Sequence, residues 1–229
     1  ITLFNFRQVD GFIIVPSPGI RDTIENLIKD NIPVILLDRF YEGLDCNSVV
    51  IDNEQASFDA TQHLIHNKFK NICFISTASD QSQMYGRLHG YEKAVKANGL
   101  EPHILQIPFN EIIKGKGKEY IAKFFKQNKE LDAVFFSTNY LAQSGLEVLK
   151  ETNQNLIKEL GLIAFDDNDM FKIYDPTITS VAQPLVEIST KLMEVMLPLL
   201  KNKDVAEGSQ KIVLKTELII RESSLKKTK

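Results

Sequence analysis

The stretch that most constrains this chain is Leu160-Gly-Leu-Ile-Ala-Phe-Asp-Asp167. Five of the six residues before the acids are apolar and the sixth is glycine, so there is no polar alternation. Such a run reads as a strand buried on both faces, the kind found inside a parallel α/β sheet. It stops abruptly at Asp166 and Asp167. Ligands of open α/β sheets bind at the carboxyl ends of the strands, so these acids fall where a binding group is expected. Turn capping is the competing role, and it is the expected one for one acid of the pair.

The same pattern recurs along the chain. Gly11–Val15, Val34–Leu37, Ser48–Ile51, Asn71–Ser76, Ile104–Ile107, Asp132–Phe136 and Ile178–Ala182 read as short strands. Between them lie segments of helical period: Ile24, Leu27 and Ile28; then Ala56, Ala60 and Leu64; then Met84 to Asn98, closed by Gly99. Further helices carry Tyr120, Ile121, Phe124 and Phe125, and span Tyr140 to Lys150. Pro184 suits the first turn of a helix whose buried stripe is expected to be Leu185, Ile188, Leu192, Val195, Met196 and Leu199. Lys211 to Ile220 reads as one closing strand. Strand alternates with helix, which gives an α/β class with mostly parallel sheets. Residues 1–6 are also strand-like, yet only Arg7 to Asp10 separate them from the next strand. Parallel strands need a crossover of a dozen or more residues, and no hairpin signal is present. Residues are therefore expected to be missing between Phe6 and Arg7.

Composition narrows the function. A chain of 229 residues suits two lobes or one large α/β domain. A net charge of -3 and a pI near 5.9 give no electrostatic footprint for nucleic acid within this chain. No apolar run is long enough for a bilayer, and no leader pattern opens the sequence. Cys46 and Cys73 lie far apart without a CxxC, so zinc and redox chemistry are not expected. Phosphate loops, dinucleotide fingerprints, nucleophile elbows and HExxH motifs are all missing. His63 and His66 lie three apart, within reach of one metal, although a solvated helix face explains them better. Lys114-Gly-Lys-Gly-Lys118 has the composition of a phosphate loop but not its spacing, and reads as solvated. What recurs is a polar group just after a buried strand: Ser17, Asp38-Arg39, Ser76-Thr77, Asn110, Asn139 and Asp166. Together they describe a cleft for a small polar molecule, a binding site more than a reaction site. No cofactor or metal is expected, and no enzyme activity.

Five blocks in order carry a family resemblance: Val9-Asp-Gly-Phe-Ile-Ile-Val-Pro16, Arg87-Leu-His-Gly-Tyr91, Asp132-Ala-Val-Phe-Phe-Ser-Thr-Asn139, Leu162-Ile-Ala-Phe-Asp-Asp167 and Leu218-Ile-Ile-Arg-Glu-Ser223. They resemble the effector-binding core of LacI-type transcriptional regulators. The resemblance implies two Rossmann-like lobes of periplasmic-binding-protein type I architecture, joined by three chain crossings, with a small polar effector in the cleft. It implies a first lobe of residues 1–52 plus 183–205 and a second of 53–182 plus 206–229. Arg87 and Asp166 are then expected to grip the effector, Asn139 to hydrogen-bond it and Phe109 to pack on it, with Ser17 and Arg39 as further contacts. A homodimer is implied, with Leu141, Ser144 and Tyr174 at the contact. Operator DNA would be bound only through a helix-turn-helix headpiece that this sequence lacks, in a cytoplasmic protein with no membrane contact. The first strand and helix of the first lobe are also expected to be absent. Tyrosine at position 140, where many relatives carry aspartate, leaves the effector open. A periplasmic sugar-binding protein of the same fold is the alternative, and Arg221-Glu-Ser223 after an apolar strand favours the regulator.

Overall fold

A computed structural model describes residues 9–152, 154–201 and 208–226. The expected strand at residues 1–6 and the expected break between Phe6 and Arg7 lie outside the described residues. The chain separates into two compact units, residues 1–52 with 184–215 and residues 53–183 with 216–229.

In the first unit the described strands are β1 (Phe12–Ile14), β2 (Val34–Leu37), β3 (Asn47–Ile51) and β9 (Lys211–Leu214), in the order β1-β2-β3-β9 and all parallel. Phe12, Ile14, Val34 and Leu36 pack with Ile24 and Leu27 of helix α1 (Arg21–Lys29). Helix α9 (Leu185–Lys201) buries Ile188, Leu192 and Met196. Leu185, expected on that stripe, is instead 71% exposed: it projects to the same side as the other three but is the first residue of the helix, a turn short of the buried stretch.

The second unit holds a six-stranded sheet, β10-β8-β7-β6-β4-β5. Its strands are β4 (Ile72–Ala78), β5 (His103–Pro108), β6 (Ala133–Phe136), β7 (Gly161–Phe165), β8 (Thr179–Ala182) and β10 (Glu217–Ile219). All described pairings are parallel except β10 on β8. Parallel partners point to the same face, and register puts Cys73, Val134 and Leu162 on one side with Ile75, Phe136 and Ala164 beside them. This side packs on helices α5 (Gly117–Gln127), through Ile121, and α6 (Asn139–Thr152), through Leu141, Ala142 and Leu146. Phe74 and Phe135 occupy the opposite face, under helices α2 (Asn53–His66) and α3 (Ser82–Ala97). There the aromatic rings form a row: Tyr91 stacks on Phe74 at 5.1 Å, Phe74 meets Phe135 edge-on at 5.3 Å, and Phe135 lies 6.5 Å from Phe165. Three short helices complete the unit: α4 (Phe109–Ile113), α7 (Gln154–Glu159) and α8 (Met170–Ile173).

The expected single strand Lys211–Ile220 is two strands in two units, so this crossing falls at Lys215/Thr216 and not at Val205/Ala206. β9 pairs with β3 while β10 pairs antiparallel with β8. Pairing partners, not a local breaker, divide one apolar alternation. Similarly, Gln183 falls with the second unit and not the first.

Candidate functional site

The parallel strands of the second unit all end on the same edge, and polar side chains gather there. Asp166 follows β7 directly and adopts a left-handed backbone, φ 69°, while its N–H donates to Val181 O at 2.9 Å. Aspartate is one of the few L-residues that visit this region readily, because its short polar side chain bonds locally. The turn swings the carboxylate toward α3, where Arg87 is only 2% exposed. The Arg87 guanidinium lies 3.6 Å above the centroid of the Phe165 ring, at the end of the aromatic row. Its Nη1 donates to Asp166 Oδ2 at 3.3 Å and to Ser137 O at 2.7 Å, and its Nε donates to Asn53 Oδ1 at 2.9 Å. On the other carboxylate oxygen, Gln183 Nε2 donates to Asp166 Oδ1 at 2.5 Å. The Asp166 side chain keeps 25% of its surface exposed. A carboxylate accepts up to about four hydrogen bonds, so a ligand donor is readily added. One turn before Arg87, on the same helix face, Gln83 is buried, and Gln83 Oε1 and Ser137 Oγ have no hydrogen-bond partner among the described residues.

Asp167 does something different. Arg221 grips it with two hydrogen bonds, Nη1 to Oδ1 at 2.8 Å and Nη2 to Oδ2 at 3.0 Å, and Ser180 Oγ donates to Oδ1 at 2.6 Å. Burial acts to raise the Asp167 carboxyl, but the Arg221 and Ser180 bonds outweigh it and hold the group below its ordinary value. The next residues extend the anchor. Ser223 Oγ donates to Leu162 O at 2.6 Å and accepts from Thr179 N at 2.9 Å, while Glu222 Oε2 accepts from Thr177 N at 3.0 Å. Thus one acid of the pair faces the strand-end cluster and the other fastens the Arg221-Glu-Ser block.

The structure brings Arg87 and Asp166 together. Asn139 opens α6, two residues beyond Ser137, at the adjacent strand end. Phe109 opens α4 after the edge strand β5 and is 57% exposed. Asn110, read as a strand-end polar group, lies in that short helix, and Ser76 and Thr77 lie within β4. Ser17 and Arg39 belong to the first unit. Ser17 is exposed, its carbonyl accepting from Tyr41 Oη at 2.6 Å, and Arg39 Nε donates to Asp38 Oδ2 at 3.0 Å. Asp38 itself has φ 71° after β2, the same backbone turn as Asp166. Of the residues expected at a dimer contact, Leu141 is corrected: it is 1% exposed and packs in the core of its unit, because it faces the sheet side of α6. Ser144 is half-buried, its Oγ donating to Tyr140 O, and the phenol of half-buried Tyr174 is raised by burial and then by the Glu147 carboxylate of α6. Asn53, Gln83, Ser137 and Gln183 were not singled out from sequence; each looks like ordinary helix-start or turn chemistry there. The Lys114–Lys118 loop is occupied by ion pairs, Lys114 and Lys116 with Glu111 and Lys118 with Glu147. Among the described residues no group of three or more His, Cys, Asp or Glu is placed to hold a metal ion, and no helix is long and apolar enough to cross a membrane.

A family model described as a periplasmic binding protein-like domain matches residues 61–224, well over half of the chain. The chain belongs to the periplasmic binding protein-like domain family. Within it the similar proteins are LacI-type regulators. The transcriptional regulator RegA of Clostridium saccharobutylicum is 33% identical over 224 residues, covering 96% of this chain and 66% of the relative. The chain spans just under two thirds of that relative's length, and 61% of the catabolite control protein A of Priestia megaterium. A structure described as a transcription regulator from Staphylococcus saprophyticus aligns with TM-score 0.81 at 27% identity, over 99% of this chain and 82% of the other. A ribose-bound LacI family regulator from Enterococcus faecium shares the fold of this periplasmic binding protein-like domain, with TM-score 0.82 at 22% identity over 96% and 81% of the two chains.

Proposed function

We propose that this chain is the effector-sensing part of a cytoplasmic LacI-type regulator and that Arg87 and Asp166 bind a small polar effector, sugar or nucleoside-like. The observation that carries this reading is the pairing of buried Arg87 of α3 with the half-buried carboxylate of Asp166 at the end of β7. The oxygens of Gln83 and Ser137, which have no partner among the described residues, favour a ligand that brings hydroxyl or amide donors, since a buried acceptor left unmatched costs roughly 1–3 kcal/mol. Ribose in the Enterococcus faecium structure supports a sugar as the first ligand to try. Asn139, Phe109, Ser17 and Arg39 are proposed as further contacts, a homodimer as the working state, and a DNA-binding headpiece outside this sequence as the output.

The test is a thermal-shift and calorimetric screen of ribose, cellobiose and nucleosides. A ligand at 100 times its Kd adds about 2.7 kcal/mol to stability, an easily measured rise in Tm. Asp166→Asn retains the shape and removes the charge, so it should weaken the best-binding compound by roughly 1–3 kcal/mol. Unchanged affinity in that variant would sink the assignment.

A further inference from the structure

The four side chains Asn53, Arg87, Asp166 and Gln183 form one hydrogen-bonded line, each of its three links joining an N–H donor to an oxygen acceptor. Its two outer members occupy special places in the chain. Asn53 is the residue on which the chain enters the second unit, directly after Asp52, and Gln183 is the residue on which it leaves, directly before Pro184.

We propose that Asn53 and Gln183 are positioning residues for the Arg87–Asp166 pair, tying the geometry of that pair to two of the points where the chain crosses between units. The inference rests on the reading of Arg87 and Asp166 as the binding pair and adds how that pair is held and what senses it. Asn53 is itself fixed. It is buried, and α3 approaches its helix through two glycines. A Cβ on Gly86 would stand 3.1 Å from Asn53 Cβ, and one on Gly90 only 2.1 Å from Glu54 O. These glycines set the first turn of α2 against the turn of α3 that carries Arg87, at the spacing the Nε–Oδ1 bond needs. Gln183 is placed by β8, since Val181 O accepts the Asp166 N–H and Ala182 pairs with Glu217 of β10. A ligand that draws Asp166 toward itself therefore pulls on Gln183, and one that turns Arg87 pulls on Asn53.

The experiment reads the line without any ligand. In the full chain labelled uniformly with 15N, the Arg87 Nε–Hε resonance is assigned from its loss in Arg87→Lys, and its solvent exchange is measured. Asn53→Ala should speed that exchange by about tenfold or more, since hydrogen bonds to charged groups exceed the tenfold energy. Asn53→Asp keeps an acceptor at Oδ1 and should restore protection to within about threefold. Asp166→Ala should move the side-chain amide resonances of Gln183. A residue that only supported the fold would instead raise exchange across all of β4 and β6. Arg87 exchange unchanged in Asn53→Ala, no rescue by Asn53→Asp, general loss of protection, or unmoved Gln183 resonances would each overturn the proposal. Failure of every sugar and nucleoside to bind, with these signals as expected, would remove the proposed function and leave the positioning intact.

Discussion

At the residue scale, both units place an aspartate in the left-handed region just after a buried parallel strand, Asp38 after β2 and Asp166 after β7. Each carboxylate is paired with an arginine, Arg39 and Arg87. Holding a residue there costs roughly 1–3 kcal/mol when its side chain resists it, and aspartate or asparagine resists least. Asp38→Asn should therefore change the urea midpoint little, whereas Asp38→Val should lower stability by about 1–3 kcal/mol. Equal stability of the two variants would show that the backbone there relaxes. The position of Asp166 was legible in the sequence, because an apolar run ending in an acid marks a strand end. Arg87 was legible only through family resemblance, since an arginine in a helix has no local signature. Asn53 and Gln183 were not legible at all: their partners are 34 and 17 residues away.

Among elements, the contact between α2 and α3 and the anchoring of β10 have opposite chemistry. Gly90 admits the backbone of α2 so closely that a methyl group would meet a carbonyl oxygen, whereas the nearest atom to a methyl on Gly86 is a side-chain carbon. Gly90→Ala should thus cost about 3 kcal/mol or more, the upper end of overpacking, and Gly86→Ala clearly less. Comparable denaturation midpoints for the two would refute this ranking. At the other edge, Arg221 holds the Asp167 carboxyl below its ordinary value. Because the folded pKa is depressed, the stability this contributes is fully present above about pH 3.8, the ordinary value, and is lost as pH falls through the lower folded value. Arg221→Met should therefore be less stable than the parent near neutrality, with the gap closing only in strong acid. A gap that persists unchanged into acid would rule out the ion pair as its source. The helices and central strands were readable from period and apolar runs. The split of Lys211–Ile220 was not, because an alternation says which face a residue takes and nothing about which sheet supplies the neighbour.

For the whole molecule, the proposed homodimer acquires a different set of contact residues. With Leu141 inside the core, the apolar surface left near α6 and α8 consists of Tyr140, 41% exposed, and Ile173, 84% exposed, beside half-buried Ser144 and Tyr174. Contiguous exposed apolar patches, not single residues, mark association sites, and the proposed contact takes Tyr140 and Ile173 together. Light scattering should find a dimer, and Ile173→Lys should raise its dissociation constant by about tenfold, an effect of the size seen at interface hot spots. A monomer at every concentration, or an unaffected dimer, would dismiss this surface.

The order in which the sheets are completed bears on how the protein is made. β9 lies at the end of the first sheet and β10, with the Arg221-Glu-Ser block, at the end of the second, yet both follow every other described strand in the sequence. A ribosome delivers residues at roughly 5–20 per second, so each sheet waits, nearly built, for its last strand to emerge. During that interval β3 and β8 are open edges, and open edges invite pairing with a neighbouring nascent chain. Translation speed and chaperone supply, which leave no trace in the finished fold, would then decide how much of this protein escapes aggregation during synthesis.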